Sequence, residues 1–411
     1  MAIVEERIKK NLEDLALFTS TPGNGTTRLP FTPEARGAVE YLRKELRDAG
    51  MTVREDAAGN IIGRYPGSRP DAPVLMIASH FDSVKNGGNF DGIAGVIAGI
   101  ELVRHFREEG IVLQHPIEIV GTNDEEGLRF GTGYFGTRAM AGEIGIPYLR
   151  SMKDMDGISI HDAMLAYGLD PQGISTAERD LAGEIAAFIE IHIEQGPVLY
   201  NTGVEIGLVE GIVGLKRFRV TVQGQADHAG TTPMDMRIDA MDCAAKVIAK
   251  ISDWAVDAGG NAVATVGSLE VFPNAINIVA EKVIFSVDIR SIDETAIISI
   301  CERIKKELAV TCRAKGASFS VEETLNVLPV RLDERILSQF EKSSRELGYS
   351  SLRMISGAGH DTLPMATKLP SALLFVPSRK GRSHCQEEWT DYGDLVKAIE
   401  VLSAMLKTND Y

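Results

Sequence analysis

The order of apolar and polar residues predicts alternating helices and strands in the first half of the chain. The segment 32–50 begins with Thr-Pro and repeats apolar residues at helical spacing, which is typical of a helix. Continuous apolar runs at 73–79 and 116–122 indicate strands buried on both faces, and a helix is predicted between them over 93–109. In 188–194, isoleucines alternate with Glu and His, so this strand is predicted to carry one acidic face. This half therefore predicts an α/β fold with a central, mostly parallel sheet.

The pattern changes between residues 213 and 325. Four strand-like runs alternate here with two helical patterns, in the order strand 217–222, helix 236–256, strand 263–271, strand 283–289, helix 293–314 and strand 317–322. This β-α-β-β-α-β order is that of a ferredoxin-like domain. The α/β pattern then resumes with a helix at 332–347, a strand at 371–376 and a helix at 391–407. We therefore predict a larger domain, 1–212 and 326–411, into which a smaller domain, 213–325, is inserted.

Composition and charge exclude some kinds of partner and leave the predicted fold unchanged. The chain has 411 residues, of which 44% are hydrophobic and 25% charged, as in ordinary globular proteins. Its 43 Lys and Arg against 58 Asp and Glu give a net charge of −15, which argues against nucleic acid or an anionic membrane as a partner. No signal peptide or membrane-spanning stretch is visible, and the four cysteines show no CxxC spacing. We expect a cytoplasmic protein.

Polar residues that could carry chemistry lie at the ends of the predicted strands or on them. They are His80, Asp82, Asp91, Glu125, Glu126, His192 and His384. Ligands of open α/β sheets bind at the carboxyl ends of the strands, so these side chains are expected to converge at one sheet edge. Imidazoles and carboxylates suit a borderline divalent metal, and one carboxylate can bridge two ions about 4 Å apart. The sequence therefore predicts a metal centre.

Each of these residues also has an ordinary structural interpretation. A single histidine at a strand end usually makes a hydrogen bond within the fold, and adjacent acidic residues are usually solvated. Four separate segments that bring such residues to one edge favour a common site instead. The adjacent pair Glu125 and Glu126 adds a second argument, because one glutamate can bind an ion while its neighbour stays free to move a proton.

The motifs that contain these residues point to a known family. They are ASHFDSVKNGGNFDG (78–92), DEEGLRF (124–130), HIEQGPVL (192–199), ADHAGTTPM (226–234), NIVAEKVIFSVDIR (277–290), SGAGHD (356–361) and SH (383–384). Together they resemble the peptidase M20 superfamily and, more narrowly, its hydantoinase/carbamoylase branch of N-carbamoyl-L-amino acid hydrolases, allantoate amidohydrolases and β-ureidopropionases. The resemblance runs from TTRL (26–29) to Trp389. HIEQG with HAGTTPM is specific to this branch, because the peptidases usually have a carboxylate where His192 stands.

The resemblance implies a site with two divalent ions, which could be Mn²⁺, Zn²⁺, Co²⁺ or Ni²⁺. It assigns His80, Asp91 and His192 to one ion, and Asp91, Glu126 and His384 to the other, with Asp91 as the bridge. Glu125 would be the general base that takes a proton from the attacking water, and Asp82 would orient His80. The implied reaction is hydrolysis of a C–N bond in an N-carbamoyl (ureido) acid.

The resemblance also implies a set of substrate-binding residues. They are Gln195, Arg217, His228, Asn277, Arg290 and the backbone around Gly357 and Gly359. His228 would stabilise the developing oxyanion, and Arg290 offers a planar fork for a substrate carboxylate. Lys216 and Arg217 resemble the allantoate branch, although two basic residues at a strand start are more commonly a solvated edge. The segments 124–130 and 137–142 resemble the carbamoylases, so we favour N-carbamoyl-L-amino acids and keep allantoate as the alternative.

The expected arrangement involves both domains and two subunits. The predicted metal ligands all belong to the larger domain, whereas His228, Asn277 and Arg290 lie in the insert, which is expected to close over the metal edge as a lid. The resemblance implies a homodimer formed through the insert, with His228 acting in its own or in the partner subunit. A non-catalytic, metal-stabilised module for small carboxylates is the alternative of another class, but it has no use for a free carboxylate at Glu125. An aminoacylase or dipeptidase is disfavoured by His192.

Overall fold

A computed structural model describes residues 3–408 and divides the chain into two compact units. The first unit comprises the chain up to Glu210 and from Arg331 onward, and the second unit is Gly211–Val330. The predicted insert, 213–325, lies inside the second unit. Among the described residues, no helix is long and apolar enough to cross a membrane.

Helices and strands alternate along the described chain. The strands are β1 (Thr52–Glu55), β2 (Ile61–Tyr65), β3 (Val74–His80), β4 (Ile117–Thr122), β5 (Ile185–Ile193), β6 (Ile206–Ile212), β7 (Gly214–Gln223), β8 (Val263–Thr265), β9 (Leu269–Phe272), β10 (Lys282–Ser291), β11 (Ser318–Val327), β12 (Val330–Arg331), β13 (Ser351–Ser356) and β14 (Ser371–Val376). The helices are α1 (Glu5–Leu15), α2 (Pro33–Asp48), α3 (Ile93–Glu109), α4 (Phe135–Met140), α5 (Ile146–Ser151), α6 (Ile160–Tyr167), α7 (Leu181–Glu184), α8 (Val198–Thr202), α9 (Ala240–Ala258), α10 (Glu294–Lys315), α11 (Glu334–Leu347), α12 (Thr362–Ala366) and α13 (Tyr392–Thr408). Short 3₁₀ turns lie at Pro171–Ala177 and Arg379–Gly381.

The larger sheet is parallel at its centre. Its strand order is β1-β2-β4-β3-β5-β14-β6-β12, with β13 paired to β6. The four strands β4, β3, β5 and β14 run parallel, whereas β1, β2 and β6 pair antiparallel with their neighbours. This arrangement confirms the predicted α/β class. The carboxyl ends of the parallel strands meet at one edge, where His80 lies opposite Thr122 and His192 opposite Phe375.

Local sequence explains why the elements around that edge form. The Thr32 side chain accepts the N–H of Ala35 and caps α2, with Pro33 in the first turn, as the sequence predicts. The strands β3 and β4 are buried at every position, which matches their continuous apolar runs. The helix α3 has the predicted bounds and ends at Gly110, whose φ of +68° a glycine adopts without strain.

The acidic face of β5 lies inside the protein. Glu190, His192 and Glu194 are 0, 2 and 8% exposed. Glu190 accepts hydrogen bonds from Ser79 Oγ at 3.0 Å and from the N–H of Thr362 at 2.9 Å. A central strand is covered on both faces, so its polar side chains must find donors within the fold.

The second unit has a sheet of its own with helices over one face. Its strand order is β11-β7-β10-β8, with β9 also paired to β10, and all of these pairs are antiparallel. The side chains of β10 alternate between buried and half-buried, and the buried ones pack with α9 and α10. The single strand predicted over 263–271 is divided into β8 and β9, which pair with successive parts of β10 and are separated by the irregular residues 266–268.

Candidate metal centre

Two histidines and an aspartate meet at the carboxyl ends of neighbouring strands. His80 is the last residue of β3, His192 lies near the end of β5, and Asp91 comes just before α3. Oδ1 of Asp91 lies 3.0 Å from His192 Nε2 and 3.5 Å from His80 Nε2, and the two Nε2 atoms are 3.5 Å apart. All three side chains are buried. The structure thus brings together the first predicted group of ligands.

The second carboxylate oxygen of Asp91 faces another group. His384 Nε2 lies 3.1 Å from Asp91 Oδ2 and 3.4 Å from Glu126 Oε1. Asp91 therefore belongs to two sets of potential ligands, one with His80 and His192 and one with Glu126 and His384. A carboxylate that bridges two ions needs this placement, with one oxygen toward each set.

The hydrogen bonds of the two buried histidines leave their Nε2 lone pairs directed at Asp91. Nδ1 of His80 lies 3.1 Å from the carbonyl oxygen of Asp82, and Nδ1 of His192 lies 2.8 Å from that of Ile193. A carbonyl only accepts, so both Nδ1 atoms carry the proton. Asp91 Oδ1 is buried and accepts no hydrogen bond from the described residues. A divalent cation would satisfy these lone pairs and this oxygen together, so the residues fit such an ion.

A glycine makes the close approach of these groups possible. Gly92 has φ +66°, and a Cβ at this position would lie 2.4 Å from atoms of the His80 ring. Its N–H donates to His192 Nε2 over 3.3 Å. Only a residue without a side chain lets the backbone pass so near the imidazole with this conformation.

The carboxylate of Asp82 has a different partner from the predicted one. The imidazole of His80 is held by the carbonyl oxygen of Asp82, while the Oδ1 atom lies 3.7 Å from Nδ1. The two carboxylate oxygens instead accept the N–H groups of Glu125 at 3.0 Å and Glu126 at 3.2 Å. The turn after β4 leaves these two donors pointing inward, and the two oxygens of one carboxylate accept both. Asp82 thus orients His80 through its main chain and shapes the glutamate pair through its side chain.

Glu125 belongs to neither group that contains Asp91, but it lies close to His80 and Glu126. Its Oε2 atom is 3.9 Å from His80 Nε2, and the residue is 8% exposed. Burial raises the pKa of Glu125 well above its ordinary value; His80 opposes the shift and the carboxylate of Glu126 adds to it. A buried carboxylate with increased proton affinity is suited to general base chemistry.

The titratable groups around Asp91 shift one another's pKa values. Burial opposes the ionisation of Asp91, but the imidazoles of His192, His384 and His80 that face its carboxylate outweigh burial and hold its pKa well below the ordinary value. Burial and the charge of Asp91 raise the pKa of Glu126 to about 7. The hydrogen bond to Asp91 raises the pKa of His384 to about 9, against the effect of burial.

Gln195 contacts the centre directly. Its Nε2 donates to Asp91 Oδ2 over 2.8 Å and lies 3.2 Å from His384 Nε2. Its backbone has φ +56° and its N–H donates to Ser378 Oγ at 3.0 Å. The predicted substrate residue therefore lies within reach of the predicted ligands.

Four predicted substrate residues lie in the second unit. His228 and Asn277 are on adjoining exposed segments, joined by the bond from the Ala229 N–H to the Asn277 carbonyl at 3.0 Å. His228 Nδ1 accepts the N–H groups of Gly230 and Thr231, which places its proton on Nε2. Two arginines of the sheet have a common partner, since Asp288 binds Arg217 at 2.6 Å and Arg290 at 3.0 Å.

The SGAGHD segment follows β13 and borders the buried side of the centre. Ser356 Oγ lies 2.9 Å from His360 Nε2, and the His360 ring packs on His192 with centroids 4.5 Å apart. Gly357 is exposed, whereas Gly359 faces Tyr134, whose hydroxyl would be 1.6 Å from an added Cβ. The predicted backbone subsite is thus a turn anchored on a histidine that touches the centre.

Sequence reasoning missed two buried charged residues that support the centre. Arg28 of the TTRL motif is 2% exposed and donates to the carbonyl oxygens of Leu15 at 2.9 Å and Phe81 at 2.5 Å. Glu388 is 3% exposed and accepts the N–H groups of Phe90 and Asp91. Arg28 could have been found, because it belongs to the TTRL motif that contributed to the family resemblance. No local sequence pattern points to Glu388.

Comparison with known proteins places the chain in a family. Residues 76–408 match the model of Peptidase family M20/M25/M40. The N-carbamoyl-L-amino-acid amidohydrolase of Paenarthrobacter aurescens is 42% identical over 405 residues, which cover 98% of this chain and 98% of that protein. The allantoate amidohydrolase of Bacillus subtilis (strain 168) is 32% identical over 403 residues, which cover 98% of this chain and 97% of that protein.

A solved structure shows the same likeness in three dimensions. The crystal structure of an amidase of the hydantoinase/carbamoylase family from Burkholderia multivorans matches with a TM-score of 0.90 and 31% identity, over 99% of this chain and 98% of that chain. The sequence motifs, the ligand groups and these matches agree with one another. The chain is therefore a hydrolase that belongs to peptidase family M20/M25/M40.

Proposed function

We propose that this protein is an amidohydrolase that holds two divalent ions and cleaves the C–N bond of N-carbamoyl-L-amino acids. The observation that carries the proposal is the sharing of Asp91 between two ligand sets, neither of which includes Glu125, although Glu125 also lies near His80 and Glu126. His80, Asp91 and His192 would hold one ion, and Asp91, Glu126 and His384 the other. Bound ions would supply Lewis acidity, which makes a ureido carbonyl more electrophilic and water more acidic.

The protein's own residues would then manage the proton. Glu125 is the general base in this proposal: it takes a proton from the attacking water and delivers it to the nitrogen of the departing amino acid. A ureido carbonyl is a poor electrophile, so a second group that stabilises the oxyanion is needed. The Nε2–H of His228 is a donor of the right kind, because its Nδ1 already accepts two main-chain N–H groups.

The same proposal assigns binding of the substrate to residues of both units. Arg290 has a planar guanidinium that matches the geometry of the α-carboxylate. Asn277, Gln195 and the backbone of 357–359 would complete the pocket. These assignments rest on the family motifs and on the chemistry of each side chain within its own unit.

Two observations favour N-carbamoyl-L-amino acids over allantoate. Identity to the carbamoyl-amino-acid relative is 42%, against 32% to the allantoate relative, over similar lengths. The segments 124–130 and 137–142 also resemble those of the carbamoylases. Arg217, the basic residue that suggested the allantoate branch, binds Asp288 just as Arg290 does, so this contact does not separate the two substrates.

The direct test compares substrates on one preparation with defined metal content. Metal-stripped protein, reconstituted with Mn²⁺, Co²⁺, Ni²⁺ or Zn²⁺, is assayed on N-carbamoyl-L-amino acids, allantoate, N-acetyl amino acids and dipeptides. We expect turnover of the carbamoyl substrates with each of several metals, since mixed imidazole–carboxylate sites discriminate weakly among them. Full activity after exhaustive chelation, or faster turnover of allantoate, would contradict the proposal.

The second unit is part of this proposal too. Its observed order of strands and helices supports the predicted ferredoxin-like domain, which we propose acts as a lid and forms a homodimer. Sedimentation of the full chain should give twice the chain mass, and a monomer at micromolar concentration would refute the dimer. The cytoplasmic location stays a prediction.

A further inference from the structure

One buried carboxylate outside the predicted set connects two loops of the metal centre. Oε1 of Glu388 accepts the N–H groups of Phe90 and Asp91, each at 3.0 Å. Oε2 of Glu388 accepts the hydroxyl of Ser383 at 2.8 Å. A single side chain therefore holds the main chain of Asp91 and the residue that precedes His384.

The surroundings of Glu388 are shaped to hold it. A Cβ on Gly88 would lie 2.1 Å from Glu388 Oε1 and 2.3 Å from its Cβ, so only glycine leaves room for the carboxylate. The Phe90 ring packs against Trp389 and Tyr392, with centroid distances of 5.2 and 5.7 Å. These contacts fix the side chain between the two loops.

We propose that Glu388 is a positioning residue for the ion held by Asp91, Glu126 and His384, an inference that rests on the proposed two-ion function. Of the predicted ligands, His384 is the one on an exposed loop: its side chain is 47% exposed and its φ is +56°. His80 and His192 are instead buried side chains on strands. The loop of His384 therefore depends on Glu388 more than the two strand ligands do, so we expect the loss of Glu388 to affect the ion at His384 most.

We call the contacts of Glu388 with Phe90, Asp91 and Ser383 the clamp. The hydroxyl of Ser383 connects this clamp to the bridging carboxylate of Asp91. Its Oγ lies 2.8 Å from Glu388 Oε2 and 3.2 Å from Asp91 Oδ2. A hydroxyl has one proton, so it can donate to only one of these carboxylates at a time. When the proton goes to Glu388, Asp91 Oδ2 has one donor fewer, with Gln195 still bound to it, and is more available to the ion. Groups behind a metal ligand commonly alter metal affinity about 10- to 100-fold.

The test measures metal binding without substrate. Metal-stripped parent, Glu388→Gln and Glu387→Gln are titrated with Mn²⁺ by calorimetry. Glu387 is the matched control, since it is exposed and pairs with Arg382 at 2.7 Å. We expect two ions per parent chain; in Glu388→Gln one site should keep its affinity and the other should weaken about 10-fold or more. The control should match the parent.

Two further variants keep the inference testable if Glu388→Gln folds poorly. Gly88→Ala, which displaces Glu388 from the other side, should weaken the same single site. Ser383→Ala, which leaves the bonds to the Phe90 and Asp91 N–H groups intact, should do so by a smaller factor. In each variant excess Mn²⁺ should restore turnover with KM unchanged, a rescue that a general structural defect would not show.

The outcomes distinguish a failure of the proposed clamp from a failure of the proposed two-ion function. If the parent binds two ions and Glu388→Gln binds both as the parent does, the clamp is refuted and the two-ion site stands. Equal weakening of both sites also refutes it. If the parent binds only one ion, the two-ion proposal itself fails, and the clamp fails with it.

Discussion

Replacing Glu125 by glutamine should abolish most turnover without loosening the fold. The substitution keeps the size of a side chain that is 8% exposed, and it removes the oxygen that can accept a proton. General base catalysis is worth about 10²- to 10⁴-fold. At about 1.36 kcal/mol per factor of ten, this raises the barrier by about 3–5 kcal/mol.

The structure also predicts the sign of the effect on stability. Burial and the nearby carboxylates of Glu126, Asp361 and Asp82 raise the pKa of Glu125, with His80 opposing, so its ionised form is costly in the metal-free protein. A neutral amide relieves that repulsion. The free energy of unfolding of metal-free Glu125→Gln should therefore equal or exceed that of the parent.

The assay follows release of amino acid from an N-carbamoyl-L-amino acid at saturating metal, with elemental analysis of the same samples. Glu126→Gln is the matched control, because it changes the adjacent residue in the same way. We expect Glu125→Gln to keep its metal and lose kcat, and Glu126→Gln to lose metal. The reverse pattern would show that the two glutamates are assigned in the wrong order, and parental kcat in Glu125→Gln would refute its role as base.

Three further predictions follow from contacts around the centre and in the fold. Arg28→Met leaves buried carbonyl oxygens without a donor and should cost about 3–5 kcal/mol in urea unfolding, whereas exposed Arg47→Met should change little. Gly92→Ala places a Cβ against the His80 ring and should lower metal affinity at least 10-fold by titration, so parental affinity would contradict the close approach of backbone and imidazole. Burial alone would raise the pKa of Asp333, but hydrogen bonds from the Arg335 guanidinium and from main-chain N–H groups outweigh burial, so this pKa is below its ordinary value. Its charge therefore stabilises above the unfolded pKa; Asp333→Asn should cost about 0.5–1 kcal/mol at pH 7 and progressively less below about pH 4.

The central sheet and its long helices were predictable because each carries a long, regular apolar pattern. The bounds of α3 agree with the prediction, and β3, β4 and β14 differ from theirs by about a residue at most. The segment from α4 to α7 gave no prediction. Its helices are six, six, eight and four residues long, which is too short to show a clear helical period in the sequence. The first three form around a small core of their own, whereas Leu181 of α7 packs in another cluster.

The candidate site was predictable as a set of residue types but not as a set of supporting contacts. The residues grouped around Asp91 lie at strand ends or just after them, and the parallel order of those strands brings them together. The role of the Asp82 carboxylate depends on which N–H groups the turn after β4 exposes, which the sequence does not reveal. Glu388 binds an N–H group 298 residues away, so no local pattern could assign it.

Backbone conformation explains why such distant contacts matter at this site. Asp124, Gln195 and His384 all have φ between +56° and +58°, a left-handed conformation that costs a residue with a side chain about 1 kcal/mol or more. Each lies at or beside a ligand segment, so these loops would relax if nothing held them. Main-chain and side-chain bonds hold them instead, such as the Phe135 N–H to the Asp124 carbonyl and the Gln195 N–H to Ser378. The geometry of the centre is thus maintained by its neighbours, and a substitution in a supporting contact should change metal binding even though it removes no ligand.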